Sequence, residues 1–422
     1  MAEEQLYKAL KTRIYPNPKQ RRFIHQNFIV NKYIWNYFLD YLQNNYQECK
    51  KYLDENKENM SDDELKEIKK KMYPSKFDLI NKLSELKKKE TWLKNSESTS
   101  LQNTIGNLYQ GYQNMFRGDA RLPRFKRNLH SYTSNITSPL KTNSIDREKH
   151  LLKIPRLGKV FYPYSEKLKM NSIQTITVSE DNLHNFYVSI MYKNGFSTSN
   201  LDNLNASKMI GIDLGLTNFA TLSNGDTIPA MQFDYTSRKD IIRKRKLARR
   251  GKAAFKKVKA FNHKHAKDDT PLMKVDDLKG YRDIKKADAK VEKKKALRRK
   301  NFLQNIANSL VKQYDFIVIE DLKINKMLKN KFLSRRIANA SWRSFRTMLE
   351  NKCKEKGKIL MVVSAYNTTR ICSQCGYYNG IKNLSVDKWT CPHCKSHLIR
   401  QVNSAKNILN KGIEEWKVKK DK

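Results

Sequence analysis

The chain has 422 residues and a formal net charge of +43, because 85 lysines and arginines stand against 42 aspartates and glutamates. So many positive charges repel one another unless a polyanion neutralises them. Nucleic acid is the expected partner, because binding to its phosphates releases counterions; the alternative is a charged surface that only keeps the protein in solution. The longest apolar runs, residues 316–319 and 359–363, are too short to span a bilayer, and the first residues lack the order of a signal peptide. The composition predicts a cytoplasmic nucleic-acid-binding protein without a membrane partner.

A strand followed by helices is predicted for the first part of the chain. Residues 8–15 read as a strand that ends at a proline-rich breaker, and apolar residues recur at helical spacing over 19–42. A capping box at 61–64 opens another helix. One face of a further helix is apolar, with core packing as its ordinary role: Leu101, Ile105, Leu108, Tyr112 and Phe116. The polar face left for a partner holds Gln102, Asn103 and Gln110.

A basic segment and a small β-barrel are predicted next. Residues 121–127 interleave basic side chains with one phenylalanine, which suits phosphate contact combined with base stacking. Residues 131–205 hold short strand-like runs between turn residues, at 151–154, 160–162, 173–178 and 186–192. We expect the first strand of the chain to join this barrel.

An α/β core is predicted for the rest of the chain. An apolar strand at 209–216 contains Asp213, with hairpin partners at 218–222 and 227–230. Residues 238–300 are basic and predicted to be mostly helical. The segment is either an arm that lies along a nucleic acid backbone or an ordinary charged surface that faces solvent. A helix, a strand, a helix and a strand follow, at 302–314, 315–319, 342–356 and 358–364.

Two C-x-x-C pairs form the signature of a four-thiolate zinc site: Cys372 and Cys375, then Cys391 and Cys394. Protein fills all four ligand positions, so the predicted zinc ion is structural. Four unrelated reduced cysteines are the alternative, and either case suits a reducing compartment.

Two carboxylates each come at the end of an apolar strand, Asp213 and Glu320. Either acid alone is an ordinary strand-end residue. Together they indicate a shared cleft, and phosphodiester hydrolysis by two metal ions needs about three converging carboxylates there.

Seven motifs, which span nearly the whole chain, resemble the TnpB family of transposon-encoded RNA-guided nucleases, relatives of the compact type V CRISPR effectors. They are R-I-Y-P-N-P-K-Q, S-L-Q-N, L-P-R-F-K, G-I-D-L-G-L, I-V-I-E-D-L, C-S-Q-C-G and N-S-A-K-N-I. The resemblance implies a guide RNA, and a double-stranded DNA target with a short flanking motif that the protein reads. It allows a monomer or a dimer.

The fold that the resemblance implies is multidomain α+β. A helical recognition domain is inserted after the first strand of a wedge-like β-barrel, and an RNase H-like (RuvC) α/β domain with an inserted zinc ribbon follows. The expected boundaries are 1–16 and 129–205 for the barrel, 17–128 for the helical domain, 206–364 and 398–415 for the RuvC-like domain, 365–397 for the ribbon and 416–422 for a basic tail. The candidate nucleic-acid contacts are Gln102, Arg121, Arg124, Lys126, Arg127, Arg243, Arg245, Arg249, Arg298, Arg299 and Arg400.

The third catalytic acid is where the chain departs from the family. By resemblance Asp213 and Glu320 match the first two catalytic acids, whereas the D-R-D part of the family's D-R-D-x-N-A-A-x-N-I pattern reads I-R-Q here, with Gln401 at the third acid. Because Mg²⁺ prefers charged oxygen ligands, we expect it to bind weakly or not at all, and cleavage to be lost. Asp321 should point to the opposite face of its strand, and Asp387 should lie inside the ribbon, away from this position.

The broken acid set resembles TldR proteins, nuclease-dead TnpB descendants that repress transcription. The prediction is therefore an RNA-guided double-stranded DNA-binding protein that represses transcription by occupying a promoter. The alternatives are an active RNA-guided endonuclease with a relocated third ligand, and a zinc-stabilised RNA-binding protein without a DNA target. A second departure, threonines at 368 and 369 where the family has Ser-Gln, affects contacts near the ribbon.

Overall fold

The computed structural model describes residues 4–56, 61–135, 145–146, 148–163, 173–197, 205–231, 238–266, 270–380 and 386–420. The chain divides into two compact units, the first being Tyr7–Gly195 and the second Phe196–Lys422 with Met1–Leu6. Both units combine helices with sheets, which confirms the mixed α+β prediction. Among the described residues, no helix is both long and apolar enough to cross a membrane.

The described part of the first unit contains four α-helices, three of which build one core. The four helices are α1 (Pro18–Asn56), α2 (Asp62–Met72), α3 (Lys76–Lys89) and α4 (Ser98–Phe116). The capping box that opens α2 is formed, since the Ser61 N–H donates to Glu64 Oε2 at 3.0 Å and the Glu64 N–H to Ser61 Oγ at 3.3 Å. The apolar faces of α1, α3 and α4 meet in a core that includes Ile34, Phe38, Leu83, Leu101, Ile105 and Leu108. Phe116 does not join that core, because its side chain at the end of α4 is exposed.

The strands of the first unit form two antiparallel sheets. They are β1 (Glu4–Ile14), β2 (Ser131–Asn135), β3 (Ile145–Asp146), β4 (Leu151–Ile154), β5 (Gly158–Phe161), β6 (Ile173–Glu180) and β7 (Phe186–Ser197). One sheet has the order β1-β7-β6-β2 and the other β3-β4-β5, so the first strand joins the later ones as predicted. A bridge between Tyr15 and Phe161 connects the two sheets, and closure into a barrel stays a prediction.

A five-stranded sheet organises the second unit. Its strands are β8 (Met209–Leu214), β9 (Asn218–Leu222), β10 (Thr227–Pro229), β11 (Phe316–Glu320) and β12 (Ile359–Val363). The order is β10-β9-β8-β11-β12, in which β11 is parallel to both β8 and β12, while β9 and β10 are antiparallel. Every residue of β11 is buried, as expected of a central parallel strand that is covered on both faces.

Helices cover the two faces of this sheet. The described helices of this unit are α5 (Arg238–Lys264), α6 (Lys279–Gln313), α7 (Ile324–Met327), α8 (Ser334–Ala340), α9 (Trp342–Lys356) and α10 (Arg400–Lys420). The C-terminal part of α6 and α9 pack on one face, and α10 packs on the other through Ile408. Helices α5 and α6 account for most of the described residues of the basic segment at 238–300, which was predicted to be mostly helical. Helix α10 continues to Lys420, and Trp416 packs against Phe316, so the boundary expected for a basic tail at 416–422 stays a prediction.

A glycine lets α10 approach the sheet closely. A Cβ atom at Gly211, in the middle of β8, would lie 2.1 Å from the Ala405 carbonyl oxygen and 2.8 Å from the Leu409 nitrogen. Only glycine therefore allows the backbone of α10 to cross β8 at this point. A short antiparallel ribbon precedes this helix, with β13 (Lys388–Thr390) and β14 (His397–Ile399), and α10 begins at the residue after β14.

Candidate functional site

Two acidic side chains meet at the ends of β8 and β11. The parallel register pairs Ile212 with Ile319, which places Asp213 and Glu320 side by side. The two carboxyl groups lie within hydrogen-bonding distance of each other, and Glu320 Oε1 also accepts a hydrogen bond from the Leu214 N–H at 3.2 Å. The strand-end acids that the sequence singled out are therefore neighbours in the fold.

Burial controls the protonation of this pair. Removal from water raises the pKa of Asp213, and the hydrogen bond from Glu320 and the charge of Arg400 only partly oppose that rise. Removal from water also raises the pKa of Glu320, and the charge of Asp213 raises it further. Two buried carboxylates side by side cannot both ionise easily, so the pair retains a shared proton near neutral pH.

Gln401, in the first turn of α10, lies beside the acid pair. Its Oε1 accepts hydrogen bonds from Thr221 Oγ1 at 3.0 Å and Asn218 Nδ2 at 3.3 Å. Thr221 is the cross-strand partner of Asp213 in the β8–β9 ladder. An amide oxygen has two lone pairs, and both are occupied by these two donors. The sequence pattern does not mark Asn218 or Thr221 as site residues.

The site brings together two carboxyl groups and one neutral amide oxygen, which already accepts two hydrogen bonds. Two-metal hydrolysis needs about three converging carboxylates, and Mg²⁺ does not readily exchange its waters for a neutral, occupied oxygen.

Two other aspartates, Asp321 and Asp387, were considered as substitutes for the third acid. Asp321 Oδ1 pairs with Arg346 Nη1 at 2.8 Å on the surface, so its carboxylate is engaged with α9. The expectation that the Asp387 carboxylate lies away from the third acid position stays a prediction. Its backbone lies beside the start of α10, because its carbonyl oxygen accepts a hydrogen bond from the Arg400 N–H at 2.8 Å. Pairing of β13 with β14 brings this exposed residue opposite the start of α10.

The four predicted zinc ligands converge on one point. Their sulfur atoms all lie within 4.8 Å of one another, and the Cys372–Cys394 and Cys375–Cys391 sulfur distances are both 3.7 Å. A tetrahedral zinc ion with bonds of about 2.3 Å would hold its sulfurs about 3.8 Å apart, so the cluster fits such an ion. After each C-x-x-C pair the backbone turns through a left-handed residue, Gly376 (φ +74°) or Lys395 (φ +60°).

Two asparagines of α10 fix the segment that leads into this cluster. Asn403 accepts from the Ser373 N–H and donates to the Ile371 carbonyl, both at 2.8 Å. Asn407, one turn later, donates to the carbonyls of Thr368 at 2.8 Å and Ile371 at 2.7 Å. The N-x-x-x-N spacing of the N-S-A-K-N-I motif thus serves one face of a helix. The motif alone does not reveal this role, because the two asparagines bond to a segment 30 or more residues earlier in the chain.

The residues of the first unit that were predicted to contact nucleic acid differ in their exposure to solvent. Arg121, Arg124 and Arg127 are exposed in the segment after α4, whereas Gln102 is half-buried on α4. Lys126 Nζ lies 3.3 Å from the centre of the Trp35 ring, and burial lowers its pKa. Lys126 therefore helps to hold its segment against α1, in addition to any phosphate contact.

The predicted contacts in the second unit lie mainly on the two basic helices. Exposed arginines are Arg243, Arg245 and Arg249 on α5 and Arg298 on α6. Arg299 is half-buried, with Nη1 at 3.3 Å from Ser341 Oγ. Lys244 joins α5 to α6 by pairing with Asp288 and Glu292. Arg400 differs from these residues, since its charge acts on Asp213 inside the cleft.

Three protein-family models match the chain. A helix-turn-helix domain model of the IS605 OrfB group matches 1–51, the OrfB model described as a probable transposase matches 190–331, and a Cas12f1-like TNB domain model matches 342–408. The last of these covers the four-cysteine cluster and the start of α10.

Curated relatives match along most of their length. A protein of Streptomyces pristinaespiralis is 27% identical over 336 residues, which cover 78% of this chain and 76% of the relative, and InsQ of Escherichia coli K12 is 28% identical over 338 residues, which cover 76% of both. Both are provisionally named RNA-guided DNA endonucleases. A solved complex of Cas12f1 with guide RNA and target DNA aligns over 96% of this chain and 99% of Cas12f1, at 12% identity, with a TM-score of 0.49, which is too low to support an argument.

Proposed function

The chain belongs to the TnpB family, and from this premise we propose that it is an RNA-guided, sequence-specific double-stranded DNA-binding protein. The net charge of +43 and the exposed arginines of α5 support two polyanionic partners, a guide RNA and its DNA target. Base pairing by the guide would supply the specificity, and the protein would read duplex shape and a short flanking motif.

The domain assignment is part of this proposal. The sheet order β10-β9-β8-β11-β12, with acids at the ends of β8 and β11, supports an RNase H-like (RuvC) domain at 206–364 and 398–415. The sulfur geometry supports a structural zinc ion in a ribbon at 365–397. The two connected sheets support a wedge-like barrel at 1–16 and 129–205, with a helical recognition domain at 17–128.

We further propose that this protein binds its DNA target without cutting it. One observation supports this: Gln401 lies where the family has its third acid, and its single carbonyl oxygen is bonded to Thr221 and Asn218. Without a third negative charge, the second metal ion would be held poorly, and the charge that develops during phosphodiester cleavage would lose its stabilisation.

The alternative is an active RNA-guided endonuclease, and the names of the relatives support it better than they support an inactive protein. An active site would need another third ligand. Asp387 is the candidate, because its backbone lies opposite Arg400 and its side chain is exposed.

The deciding experiment uses the full chain purified with its guide RNA. The complex is given a matching DNA duplex and Mg²⁺, and binding is followed by gel shift while cleavage is followed on a denaturing gel. We expect guide-dependent binding without a cut product. A guide-dependent cut product that disappears in Asp213→Asn would establish the endonuclease, and its loss in Asp387→Asn would identify the relocated ligand.

Repression by promoter occupancy is the biological role that follows from binding without cleavage. Mapping chromosomal occupancy tests it, because discrete guide-matched peaks at promoters are expected. An RNA-binding protein without a DNA target, the third possibility, would give no such peaks.

A further inference from the structure

The first unit contains an aromatic pocket that the proposed function does not use. A cavity of about 910 Å³ opens between α1, the residues that join α2 to α3, and α4. We define the aromatic pocket by four of its lining side chains, Tyr46, Tyr73, Tyr112 and Phe116. Its volume is within the range of about 300–1,000 Å³ that is typical of ligand sites.

The rings of the pocket are exposed where apolar packing would bury them. Phe116 is 57% exposed, Tyr73 48% and Tyr46 40%. The Tyr73 ring lies 5.4 Å from Phe116 in an edge-to-face arrangement and 6.1 Å from Tyr46. The helical spacing of Tyr112 and Phe116 predicted core packing, yet Phe116 presents its ring to the pocket. An open row of aromatic faces is suited to stacking against another flat ring.

Polar groups suited to a heterocycle surround these rings. The Tyr112 hydroxyl is buried and has no hydrogen-bond partner within the part of the chain that the structure describes. A buried hydroxyl without a partner is costly. Solvent does not reach this oxygen, so a ligand would remove that cost only if the neighbouring side chains moved to let it bond there. The lining also includes side chains that can donate or accept at the edge of a base, namely Gln43, Gln47 and Gln113, and one cation, Lys50.

We propose that the aromatic pocket binds an unpaired nucleobase of the bound RNA. This inference rests on the proposed function, which supplies the RNA. Unpaired RNA bases are commonly recognised by stacking on aromatic side chains with hydrogen bonds to their edges. A base in duplex DNA would first have to be unstacked, which disfavours DNA as the occupant. A second copy of this chain is disfavoured by a charge of +43 on each partner, whereas an RNA phosphate beside Lys50 is attracted.

Fluorescent oligonucleotides test the inference on the full chain. The probes are a single-stranded RNA that contains one 2-aminopurine, the same sequence as single-stranded DNA, and the RNA annealed to its complement. The test variants are Phe116→Leu and Tyr73→Leu, which keep apolar volume but remove the stacking face, and Tyr112→Phe, which removes only the hydroxyl. Phe77→Leu is the matched control, because Phe77 is 75% exposed and does not line the pocket.

We expect quenching of 2-aminopurine in the single-stranded RNA, with roughly tenfold weaker binding in Phe116→Leu and Tyr73→Leu and no change in Phe77→Leu. Equal affinity for the RNA in all variants overturns the inference, as does tighter binding of the DNA probe. A change in self-association by light scattering with unchanged RNA affinity would assign the pocket to a second copy instead. Guide-dependent DNA binding is measured in parallel, so failure of the pocket is distinguished from failure of the proposed function.

Discussion

The Gln401 side chain accepts a hydrogen bond from the Thr221 hydroxyl at 3.0 Å, which joins the first turn of α10 to the strand beside Asp213. An aspartate at position 401 would also be an acceptor, and it would bring a second oxygen and a negative charge. The amide keeps one acceptor and loses that charge. We therefore expect the proposed loss of cleavage to come from the missing charge, with α10 held in place by the bond to Thr221.

Gln401→Asp should raise guide-dependent cleavage above that of the unmodified chain. The new carboxylate supplies the third charged ligand, and we expect an increase on the order of a hundredfold in the cleavage rate with Mg²⁺. Single-turnover cleavage of a labelled duplex measures it. Gln401→Asn is the control, since it has the length of aspartate without the charge. Measurable cleavage at equal rates in the unmodified chain and the aspartate variant would contradict the proposed inactivation. If neither protein cleaves, Ile399→Asp added to Gln401→Asp tests whether both family aspartates are required.

Cys391→Ser should remove the metal from the ribbon. Loss of one of four thiolates leaves an incomplete tetrahedral site, and binding energy of the metal is folding energy for such small sites. We expect about one zinc per chain in the unmodified protein by elemental analysis and less than about a tenth of that in the variant. Cys353→Ala, a buried cysteine outside the cluster, should retain the zinc. Full zinc content in Cys391→Ser would rule out the four-thiolate site.

Gly211→Ala should destabilise the second unit strongly. Its Cβ would lie 2.1 Å from the Ala405 carbonyl, and neither backbone can move without disturbing the sheet. We expect a loss of about 3 kcal/mol or more in the free energy of unfolding, measured with denaturant. Gly251→Ala on α5 is the control: a Cβ there meets nothing within 4 Å, and alanine should stabilise the helix by about 0.5–1 kcal/mol. A similar effect of both substitutions would contradict the close approach of α10.

Asn407→Asp should loosen the ribbon from α10. The carboxylate cannot donate, so the Thr368 and Ile371 carbonyls would lose their donor and face a buried negative charge. We expect a loss of about 2–3 kcal/mol in unfolding free energy and faster zinc release to a chelator. Asn410→Asp, an exposed position on the same helix, carries the same charge change and should have little effect. Unchanged zinc release in Asn407→Asp would show that these bonds do not hold the ribbon.

The acid pair predicts a pH dependence of stability. Burial raises the pKa of Glu320 in the folded protein. Protonation of Glu320 therefore contributes fully to the free energy of unfolding below the ordinary carboxyl pKa range, and this contribution is lost as pH rises through the raised pKa. Relative to Glu320→Gln, the unmodified chain should therefore lose unfolding free energy between about pH 4.5 and pH 8.5, by at least about 1.4 kcal/mol, the equivalent of one pKa unit. Denaturant titrations of both proteins at both pH values measure the difference. A constant difference between them would exclude the raised pKa.

Some features could be read from the sequence because they depend on local pattern. The cysteine spacing predicted one cluster, and the fully apolar run before Glu320 predicted a buried strand whose terminal acid shares a cleft with Asp213. Other features depend on which chain segments meet. The bonds of Gln401 to Thr221 and Asn218 join residues 180 or more positions apart. The exposure of Phe116 could not be predicted either. Apolar residues at helical spacing do not show how much of the helix other elements cover.

The direct junction of β14 with α10 has a consequence for the cleft. No residue separates Ile399, the last residue of β14, from Arg400, the first residue of α10. Each residue turns an α-helix by about 100°. The position of β14 therefore determines which direction the side chain at position 401 points relative to the sheet. A single residue inserted at this junction would turn that side chain away from Thr221 while leaving the cysteines intact. The β13–β14 pair therefore fixes the orientation of the Gln401 side chain in the cleft, although no cysteine lies in the cleft.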